Sequence, residues 1–110
     1  MEYNNNINNF KKQINIATLN VRGLNQLGKQ QQLLNYIDLY NIDIIGLSET
    51  NVSIRNSKYI CRNNTNYQPF FTNSENYFGS GVGFLVSTQI SKYIHLVETF
   101  KGRVIYIDLL

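Results

Sequence analysis

Apolar and polar positions within residues 14–50 fall into three patterned stretches that together predict a β-α-β unit. In the first, Ile14, Ile16 and Thr18 fall on one face and Asn15, Ala17 and Leu19 on the other, the period of two expected of a strand. Leu33, Leu34, Ile37 and Tyr40 then recur at helical spacing, with Gln31, Gln32, Asn35 and Asp38 on the wet side. Gly23 and residues 25–28 form the turn before the helix, with Gly28 or Asn25 as its cap. Asn41 suits a left-handed cap at its end. Residues 42–47 are nearly continuous apolar residues, as in a strand covered on both faces. A strand-helix-strand crossover makes its two strands parallel and is almost always right-handed. Their C-terminal ends then share one edge, where open α/β sheets place ligands. Asn20 and Glu49 close the two strands and are expected side by side on that edge.

The rest of the chain is less regular. Residues 1–12 read as a flexible leader, and residues 13–110 as one partial domain with no internal boundary. Residues 51–78 are polar, sprinkled with aromatics and without a clear period, which predicts a long rim or binding loop. Residues 79–87 are glycine-led and then apolar, a third buried strand whose glycines allow close approach. Residues 90–100 and 103–110 read as an antiparallel hairpin hinged at Lys101 and Gly102. The pattern is still strand-like at the last residues, so the sequence is expected to be the front portion of a longer domain, truncated before that domain is complete.

Composition narrows this only a little. The chain has 110 residues, 43% of them hydrophobic, enough for one modest core. A net charge of +3 is compatible with a nucleic-acid or phosphate partner and equally with an ordinary surface. The single cysteine, Cys61, excludes an internal disulfide and a cysteine zinc cluster. With no secretory signal pattern and no apolar run of bilayer length, the expected setting is intracellular, cytoplasm or nucleus, with no membrane partner.

Glu49 is the sharpest candidate for chemistry. Mg²⁺ takes oxygen ligands, keeps several waters, and often uses one or two carboxylates plus a substrate phosphate. A glutamate at the exit of a buried strand meets that need, and Asn20 can offer a donor and an acceptor beside it. Asn20 is equally a turn former, and Glu49 equally a solvent-facing strand end. Asp43, at the opposite end of its strand, reads as structural. In the long loop Lys58, Arg62 and Tyr67, with Tyr59, Phe70, Phe71, Tyr77 and Phe78, interleave charge with rings, a composition suited to stacking single-stranded nucleic acid and equally to aromatics folded back onto the core beneath a solvated loop.

The run Thr18-Leu19-Asn20-Val21-Arg22-Gly23-Leu24, a helix, and Asp43-Ile44-Ile45-Gly46-Leu47-Ser48-Glu49-Thr50 resembles the opening of the endonuclease/exonuclease/phosphatase family, the deoxyribonuclease-I-like fold. Its closest flavour is the endonuclease of non-LTR retrotransposons. Gly81-Val82-Gly83-Phe84-Leu85-Val86 and Gly102-Arg103-Val104-Ile105-Tyr106-Ile107-Asp108-Leu109 follow in the family's order. The resemblance implies an α/β fold, the N-terminal part of a four-layer α/β sandwich. It implies a Mg²⁺- or Mn²⁺-dependent hydrolase of phosphodiester or phosphomonoester bonds acting on nucleic acid, DNA favoured over RNA. Glu49 would be the metal-binding carboxylate of the family's Leu-Gln-Glu motif, with Ser48 in the middle place, and Asn20 would contact the metal and phosphate region. In such sites the metal neutralises phosphate charge and a histidine base activates water. The family's later Asp-x-Asn and Ser-Asp-His motifs are absent, and His95, the one histidine, lies within a strand pattern. The chain alone is therefore expected to be inactive as a nuclease. Two other expectations stand beside it: a non-catalytic remnant binding nucleic acid through residues 51–78, and a fragment with no role.

Overall fold

The structure, a computed structural model, describes residues 13–53, 55–62, 64–72, 81–100 and 104–109. The leader at 1–12, the hinge at 101–102, Gly79, Tyr77 and Phe78 lie outside the described residues. The elements in order are β1 (Ile16–Asn20), α1 (Leu27–Leu39), β2 (Ile44–Ser48), β3 (Tyr67–Phe71), β4 (Val82–Ser87), α2 (Thr88–Ser91), β5 (Ile94–Phe100) and β6 (Val104–Leu109). They form a mixed α/β arrangement with a four-stranded sheet in the order β1-β2-β4-β3 and a two-stranded sheet of β5 and β6.

The β-α-β unit forms as its pattern predicts. β1 and β2 are parallel, with Ile16 opposite Ile44 and Asn20 opposite Ser48. β4 lies antiparallel on the far side of β2, so the third buried strand is present, and β3 pairs with it at the edge. α1 buries Leu33, Leu34 and Ile37 in one cluster with Ile45, Leu47 and Leu85. Each such side chain taken from water contributes roughly 1.5–3 kcal/mol, and this cluster holds the crossover against the sheet. β2 alternates between buried and half-buried residues. On the half-buried face, by the alternation of the pleat, lie Thr18, Gly46 and Phe84. β6 rests against β4 there.

Several expectations are corrected. Neither Gly28 nor Asn25 caps α1; Gln26 is the N-cap, in extended conformation and without a side-chain cap bond. Asn25 is drawn away by its bond from Nδ2 to the Asn51 carbonyl, 2.9 Å. Tyr40 follows the helical period but lies past the last turn, 61% exposed, where its ring meets Tyr36 edge-on. Asn41 does adopt the left-handed conformation, φ 54°.

Residues 51–78 are not one featureless loop. They contain a 3₁₀ turn at Ser57–Tyr59 and the whole of β3. Val52, Ile60 and Cys61 fold back into the core. Burial pushes the Cys61 thiol up to about 11, with Arg62 pulling weakly the other way, so the thiol is chemically quiet. A buried side chain, Gln30, ties this segment to the start of α1 at Cys61. Its Nε2 donates to the carbonyls of Leu24 (3.0 Å) and Asn25 (3.2 Å), and its Oε1 accepts from the Cys61 amide at 2.9 Å.

The hairpin of β5 and β6 is antiparallel as expected, with a register shift between Ile94 and Leu96. α2, a single turn capped by Ser87, interrupts the approach to β5.

Candidate functional site

Parallel pairing does not stop where β1 and β2 end. The Val21 amide donates to the Ser48 carbonyl (3.0 Å), Gly23 to Glu49 (2.6 Å) and Leu24 to Thr50 (2.9 Å). The two strand tails thus run on together over the rim of the sheet, and Asn20 and Glu49 stand at its start. The Asn20 amide donates from Nδ2 to Glu49 Oε2 at 2.6 Å, a short contact for an N–H donor. Its Oδ1 accepts from the Arg22 amide at 3.2 Å. These two bonds fix the orientation of the amide, since a flipped Asn20 would set its oxygen against a carboxylate. One carboxylate oxygen of Glu49 is thereby held, and the other, Oε1, has no hydrogen-bond partner among the described residues.

The backbone here is unusual. Arg22 (φ 51°), Glu49 (φ 53°) and Asn51 (φ 53°) are all left-handed, as are Gly23 and, across the rim, Gly81. For a residue other than glycine this conformation costs on the order of 1 kcal/mol and concentrates at functional sites. The twist is what turns the Glu49 side chain out of the strand while its carbonyl still accepts from Gly23. Beyond Asn20 opens a cleft of about 600 Å³ between the larger sheet and β6, lined by Thr18, Asn20, Gly46, Ser48, Phe84 and Val104.

The pairing of Asn20 with Glu49 follows from the sequence argument; two other residues at this rim were not singled out by it. Lys29 Nζ donates to the Arg22 carbonyl at 3.2 Å, and Arg22 itself is exposed. The available signal was a lysine in the first turn of a helix that has no acidic residue there, where the helix dipole disfavours a cation.

Asp43, expected to be structural, is so: its Oδ2 accepts from the Asn15 amide at 2.8 Å, away from the rim. His95 is an exposed residue of β5. Among the described residues no group of three or more His, Cys, Asp or Glu comes together, so a cation at Glu49 would draw its other ligands from water and substrate, as Mg²⁺ commonly does.

Tyr67 is not part of a stacking surface. It is 9% exposed, and its hydroxyl donates to the carbonyls of Ile37 (3.1 Å) and Ile42 (3.2 Å), tying β3 to the end of α1. Burial, with the Asp38 and Asp43 carboxylates adding to it, raises its pKa. Phe71 packs on the core as well. Lys58 and Arg62 remain outside, Lys58 Nζ lying 5.3 Å over the Tyr59 ring. Of the two readings of these rings, the one against the core holds for Tyr67, whose partners are backbone carbonyls 25 and 30 residues away.

Thr50, next to Glu49, is fully buried and its hydroxyl finds no partner among the described residues. Removing an unpaired buried hydroxyl relieves a desolvation cost. Thr50→Val is therefore expected to raise stability by about 1 kcal/mol, read as a higher urea midpoint at unchanged slope; a lowered midpoint would show that the hydroxyl is satisfied.

Compared with known families and proteins, the chain matches no family model and no curated protein.

Proposed function

We propose that this chain is the metal- and phosphate-binding portion of a Mg²⁺-dependent phosphodiesterase, endonuclease-like, acting on nucleic acid. The observation that carries it is the 2.6 Å bond from Asn20 to Glu49 at the C-terminal rim of two parallel strands, with Glu49 in a left-handed conformation. The donor set suits a hard cation: one oriented carboxylate oxygen, a neutral amide beside it, and open rim for water and phosphate. Mg²⁺ or Mn²⁺ bound there would neutralise charge on a phosphate and stabilise the leaving oxygen. Asn20 holds the carboxylate in place and, with its second N–H, can donate to a phosphate oxygen or to a bound water. The four-layer α/β sandwich belongs to the same proposal. It is supported by the sequence of layers present: α1, the four-stranded sheet, then the β5-β6 sheet.

Hydrolysis is not expected of these 110 residues alone, because the one histidine, His95, sits on the other sheet, away from Asn20 and Glu49. The test is therefore binding. Mn²⁺ titrated into the protein and followed by paramagnetic broadening should report one site, displaced by Mg²⁺. Asn20→Ala is expected to weaken it about 10–100-fold, as loss of a ligand-orienting partner does, and Glu49→Gln at least as much. Equal Mn²⁺ affinity in Glu49→Gln would sink the proposal.

A second function, nucleic-acid binding without metal through the segment after β2, retains the exposed Lys58, Tyr59 and Arg62 but loses Tyr67 and Phe71 to the core.

A further inference from the structure

We propose that Arg22 and Lys29 form a phosphodiester clamp beside the Asn20–Glu49 pair, gripping the backbone of a single-stranded nucleic acid while the carboxylate holds the cation. The inference rests on the function proposed above and adds to it the side of the site that the strand enters. Four bonds place the Arg22 backbone and the Lys29 ammonium beside the pair. Gly23 donates to the Glu49 carbonyl at 2.6 Å, Asn20 Oδ1 accepts from the Arg22 amide at 3.2 Å, Asn20 Nδ2 reaches Glu49 Oε2, and Lys29 Nζ donates to the Arg22 carbonyl at 3.2 Å. The ammonium is thus one peptide unit from the backbone of the metal-binding residue.

Neither cation has an ion pair with a carboxylate among the described residues; Lys29 Nζ is bonded to a backbone carbonyl and Arg22 is exposed. Glu49 is turned to Asn20 instead, which leaves both positive groups available to an anion that bridges from the cation outward. Two features of the chain oppose stability here. Arg22 is held at φ 51°, and Lys29 occupies the first turn of α1, where the helix dipole repels it and no acidic residue compensates. Positions that a fold holds against its own preference are where binding groups are found. An arginine offers a planar fork to a phosphate and a lysine a point charge, so the pair suits successive phosphates of a flexible strand better than a single small anion.

The experiment uses the full chain and a fluorescein-labelled oligothymidylate, with anisotropy measured over a salt series in Mg²⁺. Arg22→Gln and Lys29→Gln are each expected to weaken binding about tenfold at low salt, and each to lower the slope of log affinity against log salt by about 0.7, the value for one phosphate on a single strand. Lys29→Glu should weaken binding further while leaving the thermal midpoint equal or higher, an opposition of signs that a structural lysine would not give. Mn²⁺ binding should persist in all three. Unchanged slopes, a slope loss found only with Lys58→Gln and Arg62→Gln, or no binding by the wild-type chain would each overturn the clamp. If Mn²⁺ fails to bind but the two slopes still fall, the clamp stands and the metal site falls.

Discussion

Gly83→Ala is expected to destabilise the protein by about 1–3 kcal/mol, the range for overpacking a closed site. Gly83 pairs with Phe71 across β4 and β3. A methyl group there would come 2.4 Å from Phe71 Cδ1 and 2.8 Å from the Phe70 carbonyl oxygen. The ring could turn aside, but the carbonyl is part of the neighbouring strand and moves only with it. Relief would require β3 to lift from β4, and with it Tyr67, whose hydroxyl binds the end of α1. The measurement is urea unfolding followed by circular dichroism, with a lowered midpoint at unchanged slope. Gly28→Ala is the matched control. It lies in α1 with nothing within 4 Å of the added methyl, so helix propensity should stabilise it by up to about 1 kcal/mol. Equal midpoints for the two variants would show that β3 and β4 are not packed as described.

Gln30→Leu should be at least as damaging, about 2–4 kcal/mol for two or more buried backbone groups left without partners. The substitution keeps the volume and removes the chemistry. The Cys61 amide and the Leu24 carbonyl both lose their bonds to the Gln30 side chain, and Leu24 and Cys61 are themselves buried. Because the amide joins the first turn of α1 to a segment 31 residues further on, the effect should be regional as well as global. Hydrogen exchange at the Cys61 amide should accelerate more than at Ile45 or Leu85 in the sheet. Gln30→Glu separates the terms, since it can still accept from Cys61 but cannot donate to Leu24 or Asn25 when ionised. Wild-type stability in Gln30→Leu would show that the Gln30 side-chain bonds are dispensable.

These two sites also mark what the sequence could and could not disclose. The β1-α1-β2 unit was legible because its periods are clean and its connection leaves one handed solution, and that alone brings Asn20 to Glu49. β3 was not legible. Tyr67-Gln68-Pro69-Phe70-Phe71 carries a proline, which argues against a strand except at an edge, and β3 is an edge. Gln30 sits on the helix among polar neighbours and gives no local sign of burial; its reason for being inside is Cys61, distant in the chain. The left-handed backbone at Arg22 and Glu49 is equally hidden, since neither residue favours it. It arises only when two tails, each unremarkable, are paired with one another.

That pairing limits how the chain can vary. The segments leaving β1 and β2 are stitched amide to carbonyl, Val21 to Ser48, Gly23 to Glu49 and Leu24 to Thr50. Neither can gain or lose a residue by itself without shifting every stitch beyond the change and swinging the Glu49 carboxylate off the Asn20 amide. Length in one tail is therefore bound to length in the other, and a tolerated insertion in either should come with a matching insertion in its neighbour.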